Sequence, residues 1–299
     1  MTPAALFIAT RIVANPVSNV FQKRLVQNSA DPVFIIVVTH AVLAVLVSPV
    51  LMRLPLTTQT GAFWLNMSVS AALAVAGNVL LVFALRHTDL SILASINAYK
   101  TVLSLVLGTF LIGEVPSAIG LVGVALILVG SYVVVDPPGP QSESNAFVIF
   151  FKERGVQLRF ASLACSATEA VFLKRAVLQS TPIAVFSLWC VLGFVVGAAF
   201  VAVFEHGRIA SEIGVLRQRW RTLAWLVIST GLMQLTTLLT FGVMQVGYSL
   251  ALFQLSNLVS VFFGYRYFSE QNIGRRLIGS LIMIAGAVVI ATAALGHRS

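Results

Sequence analysis

Charge is scarce in this chain. Asp, Glu, Lys and Arg together make up 10% of its 299 residues, where a soluble domain carries about 25%. That leaves too little polar surface to cover a water-exposed globule, which excludes a soluble enzyme or binding domain. Acidic residues are scarcer still, 10 against 19 basic, and the net charge of +9 would suit nucleic acid. The basic residues, however, stand between apolar runs, form no patch or arm, and are not interleaved with aromatics, so nucleic-acid binding is set aside. Cysteine is limited to Cys165 and Cys190, both inside apolar segments; neither a disulfide framework nor a cysteine metal site is expected. HExxH, a GxSxG elbow, clustered carboxylates and a phosphate loop are all missing from the sequence. Nothing therefore points to an enzyme, a metal or a cofactor. The first apolar run lacks a basic start and holds Arg11, Asn15, Pro16 and Asn19, unlike a cleavable signal peptide.

What the chain has in abundance is apolar sequence: 58% hydrophobic residues and a mean hydropathy of +0.96. About 20 apolar residues cross a bilayer as a helix. That measure predicts ten spans, at 3–25, 32–52, 62–85, 90–112, 117–136, 158–178, 182–204, 222–246, 248–268 and 273–295. PPGPQSESN at 137–145 is the longest polar gap, and NAFVIFFKERG after it suits the membrane interface. The segment 205–221, with Arg208, Arg217, Arg219, Arg221 and Trp220, is expected at the membrane surface.

The chain repeats itself. Residues 91–135 align without a gap on 247–291, so that Ser104, Gly108, Glu114, Leu121, Gly123, Gly130 and Val133 fall on Ser260, Gly264, Glu270, Leu277, Gly279, Gly286 and Val289. VFQKRLV at 20–26 is echoed by VFLKRAV at 171–177, with Pro32 and Pro182 following. This divides the chain into a first repeat over 1–136, a linker and interfacial segment over 137–157, and a second repeat over 158–299. Five spans per half is an odd number, so the second half enters from the opposite side. The expected fold is all-α and integral to the membrane: ten transmembrane helices as two inverted five-helix repeats. Loops after the odd-numbered spans hold most of the basic residues, with Lys174 and Arg175 counted among the loop charges of the other side. That count places the termini outside. The glycines at 120, 123, 130, 279 and 286 are expected to bring helices close. Glu114 and Glu270 suit the positive ends of the helices that follow them.

Three ionisable residues, Arg11, Lys100 and Glu169, fall well inside spans. At a helix centre each costs about 2.5–3.5 kcal/mol on insertion scales, so each needs a partner or a wet cavity. Around them run polar stripes: Arg11, Asn15, Ser18, Asn19 and Gln22 in span one, with Pro16 to kink the helix; Asn97, Lys100, Thr101 and Ser104 in span four; Ser162, Cys165, Ser166 and Glu169 in span six; Gln254, Asn257 and Ser260 in span nine. Such stripes face a bundle interior. Arg11, Asn15, Asn97, Lys100, Gln254 and Asn257 are thus the substrate-binding candidates. Glu169 and His40, a carboxyl and an imidazole that can change charge, are the proton-coupling candidates. Arg11 and Lys100 against Glu169 leave one positive charge, which suits a carboxylate or another anionic ligand. The alternative is an ion pair of Glu169 with Arg11 or Lys100 that only fixes packing; for His40 it is an interhelical hydrogen bond. Asn78, Tyr99, Trp189 and Gln234 are weaker candidates.

LGTFLIGEVPSAIGLVGVALILVGSY at 107–132 and FFGYRYFSEQNIGRRLIGSLIMIAGAVVI at 262–290 resemble the repeated ending of the EamA-type, ten-helix branch of the drug/metabolite transporter superfamily. There a helix stops at a glutamate and a glycine-bearing helix follows. The resemblance implies two inverted five-helix repeats with cytoplasmic termini, opposite to the charge count, and alternating access, often to export amino acids, other metabolites or drugs. The related small multidrug resistance proteins carry a glutamate in the first helix of their repeat, where Glu169 stands in the second repeat here. The expectation is a secondary active transporter, an exporter, for a small metabolite such as an amino acid or organic anion, driven by protons or by exchange. It would be a multi-pass protein of a bacterial cytoplasmic (inner) membrane, a monomer or homodimer whose partners are its substrate and the bilayer. A lipid or lipid-linked-sugar flippase on the same scaffold is the alternative. A passive channel fits less well with the apolar ends of most spans.

Overall fold

The computed structural model describes residues 3–27, 30–87, 99–134, 153–205, 207, 209–256, 258–259 and 273–296. Every regular element among them is helical: α1 (Pro3–Gln27), α2 (Pro32–Leu51), a 3-10 turn (Leu56–Thr58), α3 (Gly61–His87), α4 (Tyr99–Ile112), α5 (Ala118–Val134), α6 (Arg154–Gln179), α7 (Pro182–Phe204), α8 (Ile209–Gln218), α9 (Trp220–Val243), α10 (Val246–Phe253) and α11 (Ile273–Gly296). Each α-helix lies on an expected span except α8, which occupies the segment expected at the membrane surface; the 3-10 turn falls between two spans. Among the described residues α1, α2, α3, α7 and α9 are long and apolar enough to cross a bilayer. Their outer faces agree with that solvent: on α2, Val45 and Leu46 are 72% and 62% exposed, a stripe that lipid accepts and water does not.

Local chemistry explains where the helices begin and end. Asp31 accepts from the backbone N–H of Val33 and caps α2, with Pro32 as its first residue. Thr181 does the same for α7 through Ala184, ahead of Pro182. The two prolines of the sequence echo therefore mark a capped helix start, where a missing N–H costs nothing. Pro16 lies within the unbroken α1, where its ring leaves the carbonyl one turn back without a helical donor. Helix α4 stops at Gly113, whose φ of +77° suits glycine and whose N–H closes onto the Thr109 carbonyl.

The helices form two compact units. The first comprises residues 1–79 and 168–243; in it α1 packs on α9, and α2 on α7 and α9. Leu25, Phe34, Ile35, Val37, Val201, Leu216 and Leu226 form a buried core within it. The second comprises residues 80–167 and 244–299; in it α5 packs on α11 and α4 on α10.

Two pairs of helices that the sequence repeat equates thus lie against one another: α2 on α7 and α5 on α11. The last pair shows the geometry best. A Cβ added at Gly123 would fall 2.8 Å from the Gly286 carbonyl oxygen, and one at Gly130 would fall 2.7 Å from that of Gly279. The helices are therefore antiparallel, with backbones in direct contact, as small residues permit. The repeat alignment puts Gly123 on Gly279 and Gly130 on Gly286. Each contact is the image of the other, as at an isologous interface.

Candidate functional site

In the first unit, α1 and α9 are joined by polar pairs on either side of Pro16. The Arg11 Nε–H donates to Thr237 Oγ1 at 2.7 Å, and the hydroxyls of Ser18 and Thr230 lie 2.8 Å apart. Thr237 donates its own proton to the Met233 carbonyl at 2.7 Å, so its oxygen faces the guanidinium as an acceptor. Ser229, Thr236 and Thr240 bond back to their own helix in the same way, a pattern that bends helices slightly. Helix α9 thereby presents hydroxyl oxygens rather than protons. Sequence reasoning missed Thr230 and Thr237. Their signal was a seven-residue spacing that matches Arg11 to Ser18.

The second feature of this unit links α6, α7 and α2. Glu169, half-buried on α6, accepts from the Trp189 indole N–H at 3.3 Å. The Trp189 ring lies 4.5 Å from the His40 ring, tilted by 46°. His40 is 4% exposed, and its Nδ1 sits 2.9 Å from the Ile36 carbonyl. A carbonyl only accepts, so Nδ1 carries the proton. Nε2 has no hydrogen-bond partner among the described residues; in the neutral ring it is a bare acceptor. It lies against Gly193, where an added Cβ would fall 2.6 Å away. Carboxylate, indole and imidazole form one continuous chain across three helices. Trp189, a weak candidate by sequence, is its middle.

Other sequence candidates fall elsewhere. Asn15 is half-buried on α1. Lys100 is half-buried at the start of α4, in the second unit. Gln254, 4% exposed just past α10, donates to Thr101 Oγ1 at 3.3 Å. Asn97 and Asn257 lie outside the described residues. Asn78 donates to its own helix at Ala74, and Tyr99 is exposed and packs near Phe160.

Two charges sit differently from expectation. Lys174 is not a loop residue: α6 runs on past it, and it is buried, donating through Nζ to the Phe241 carbonyl near the end of α9. There a cation satisfies the carbonyls left over at a helix C-terminus. Glu114 does serve a helix N-terminus, but not that of α5. Its Oε2 accepts from the N–H of Val246, the first residue of α10, at 2.7 Å. The Gly113 turn carries it there, and Gln245 at the N-cap gives the helix no side-chain cap, its amide donating instead to the Val115 carbonyl. Beside it the Tyr248 hydroxyl accepts from the Ser117 N–H at 2.9 Å.

Residues 3–136 match the model of the EamA-like transporter family. Over that stretch, just under half of the chain, the sequence is similar to EamA-like transporters. The five described helices that are long and apolar enough to cross a bilayer agree with a multi-pass membrane protein. No curated protein matches the sequence significantly. Among solved structures, one crystal structure superposes over 100% of both chains with a TM-score of 0.72 at 15% identity. That likeness concerns the fold alone.

Proposed function

We propose that this EamA-like protein is a proton-coupled or exchanging secondary carrier, an exporter of a small anionic or zwitterionic metabolite such as an amino acid or organic anion. It would work by alternating access in a bacterial cytoplasmic membrane. The observation that carries the reading is the chain from Glu169 through Trp189 to His40. Two groups able to take up a proton, one buried on α2 and one half-buried on α6, are connected through the ring of Trp189. Ionisable groups at membrane depth are expensive and are kept where they move charge or substrate. Arg11, whose Nε–H donates to Thr237, brings a guanidinium, the side chain best matched to a carboxylate. Asn15, Lys100, Asn97, Gln254 and Asn257 are proposed from the sequence as further substrate contacts. The antiparallel packing of repeat-equivalent helices supports two inverted five-helix repeats, the architecture that alternating access uses.

Proteoliposomes provide the test. Glu169→Gln should abolish acceleration of uptake by a proton gradient while leaving the protein folded, and Lys100→Ala should weaken substrate binding. Preloading with unlabelled substrate should drive transient accumulation of label, as a carrier does and a channel does not. Parent-like transport by both variants would reject the site assignment.

A further inference from the structure

Helix α8 is built inside out. Its inner face buries Glu212, 6% exposed, and Leu216, 2% exposed, while Ile209 and Ile213 on its outer face are 38% and 51% exposed. The Glu212 carboxylate accepts from the Asp31 N–H at 2.9 Å, at the capped start of α2. Leu216 joins Leu25, Val37 and Leu226 in the core. The helix is thus anchored, and its isoleucines are held outward. A helix facing water would reverse this order.

In its last turn and just beyond, Arg217, Arg219 and Arg221 are exposed around Trp220, itself 60% exposed, with the Arg221 guanidinium 5.4 Å from the indole ring. None of the three arginines has a carboxylate partner among the described residues. The apolar surface continues down α9 through Trp225 and Ile228, 57% and 50% exposed, along the flank of a helix long enough to cross the bilayer. Trp225 stacks on Phe21, whose ring lies 5.8 Å from the Arg24 guanidinium.

We propose that α8 and the elbow after it form a binding site for anionic phospholipid. Ile209, Ile213 and Trp220 sit at the boundary of headgroup and acyl chain, and Arg217, Arg219 and Arg221 hold the phosphate. Tryptophan is placed at that depth by its amphipathic ring. An amphipathic helix with basic flanks binds anionic surfaces by combined apolar burial and charge. Guanidinium meets phosphate with two parallel N–H bonds. A phosphocholine headgroup brings its own cation and does not neutralise three arginines. The site requires only that the chain sits in a bilayer, not that it transports anything.

The full-length protein in mixed micelles, titrated with phosphatidylglycerol or phosphatidylcholine carrying brominated acyl chains, tests this. Quenching of Trp220 is isolated by difference from Trp220→Phe. Phosphatidylglycerol should quench at much lower mole fraction, and salt should shrink the difference. Each arginine contributes about fivefold to preference for an anionic surface, so Arg217→Gln/Arg219→Gln/Arg221→Gln should lose about a hundredfold. The corresponding lysine variant should keep most of it. All three positions are exposed, and helical circular dichroism checks that the variants remain folded. Soluble glycerol phosphate should not compete. Equal quenching by the two lipids, full competition by glycerol phosphate, or an undiminished preference in the glutamine variant overturns the proposal.

Discussion

Replacing Gly130 by alanine puts the antiparallel contact of α5 and α11 to the test. The added Cβ would meet Met283 Cγ at 2.6 Å, the Gly279 carbonyl oxygen at 2.7 Å and the Met283 backbone nitrogen at 2.8 Å. Comfortable contacts between carbon atoms are about 3.5–4.0 Å, so something has to move by about 1 Å. The methionine side chain can bend away, but the other two atoms are backbone of a packed helix and cannot. Overpacking of this kind costs about 1–3 kcal/mol. The proper control is Gly214→Ala on α8, where an added Cβ meets nothing within 4 Å. There alanine brings only its helix propensity, a gain of about 1 kcal/mol over glycine. Gly130 is helical as well, so that gain is common to both variants and cancels, and they should differ by the overpacking cost, about 1–3 kcal/mol in unfolding free energy. Gly123→Ala, which meets the Gly286 oxygen at 2.8 Å, should resemble Gly130→Ala. The double variant should cost less than both together, because helices pushed apart at one crossing also clear the other. Denaturation in detergent micelles with increasing dodecyl sulfate, followed by circular dichroism, reads these differences. If Gly130→Ala unfolds at the same midpoint as Gly214→Ala, the backbones are not in contact and the pairing of α5 with α11 is wrong.

Three further changes address the polar contacts. Trp189→Phe keeps a ring against His40 but removes the donor to Glu169. A hydrogen bond to a charged group contributes about 1.5–3 kcal/mol, so gradient-driven flux in proteoliposomes should fall at least about tenfold, and an unchanged flux would reduce Trp189 to packing. Thr237→Val withdraws the acceptor from Arg11 and should lower the thermal midpoint by an amount equivalent to about 1.5–3 kcal/mol, while Thr237→Ser restores it; equal behaviour of the two variants would show that the hydroxyl does not matter. Glu114→Ala strips the cap from α10 and should cost about 0.5–2 kcal/mol, measured in the same melts, and a melt matching the parent would place the cap elsewhere.

How much of this was legible in the sequence depended on whether the physics was local. The helix positions were legible because lipid sets a minimum length of apolar residues, and because Asp31 with Pro32 and Thr181 with Pro182 are helix starts whatever surrounds them. Arg11 and Glu169 stood out because charge in an apolar run has no other easy explanation. Their partners did not stand out. Tryptophan and threonine are unremarkable in a membrane helix, so Trp189 and Thr237 acquire meaning only when α7 is laid beside α6 and α9 beside α1. The two misplaced charges show the same boundary. Lys174 stands beside Arg175 near a span end, where a loop is the natural guess; only the continuation of α6 to Gln179 and the approach of Phe241 put it inside.

Glu114 is the sharpest case. The chemistry was correctly read, since a carboxylate ahead of an apolar helix seeks unsatisfied N–H groups. The nearest helix in the chain was the wrong one, because the N–H it meets belongs to Val246, 132 positions away. The glycines carry the same lesson in a form that the repeat could have resolved. Their spacing said that backbones would touch. Requiring each glycine of one copy to face a glycine of the other leaves few registers for two antiparallel helices, and Gly123 on Gly286 with Gly130 on Gly279 is one that the duplication itself allows. In a duplicated membrane protein, the alignment of the two halves is therefore already a partial contact map, provided that equivalent helices are taken to pack on each other.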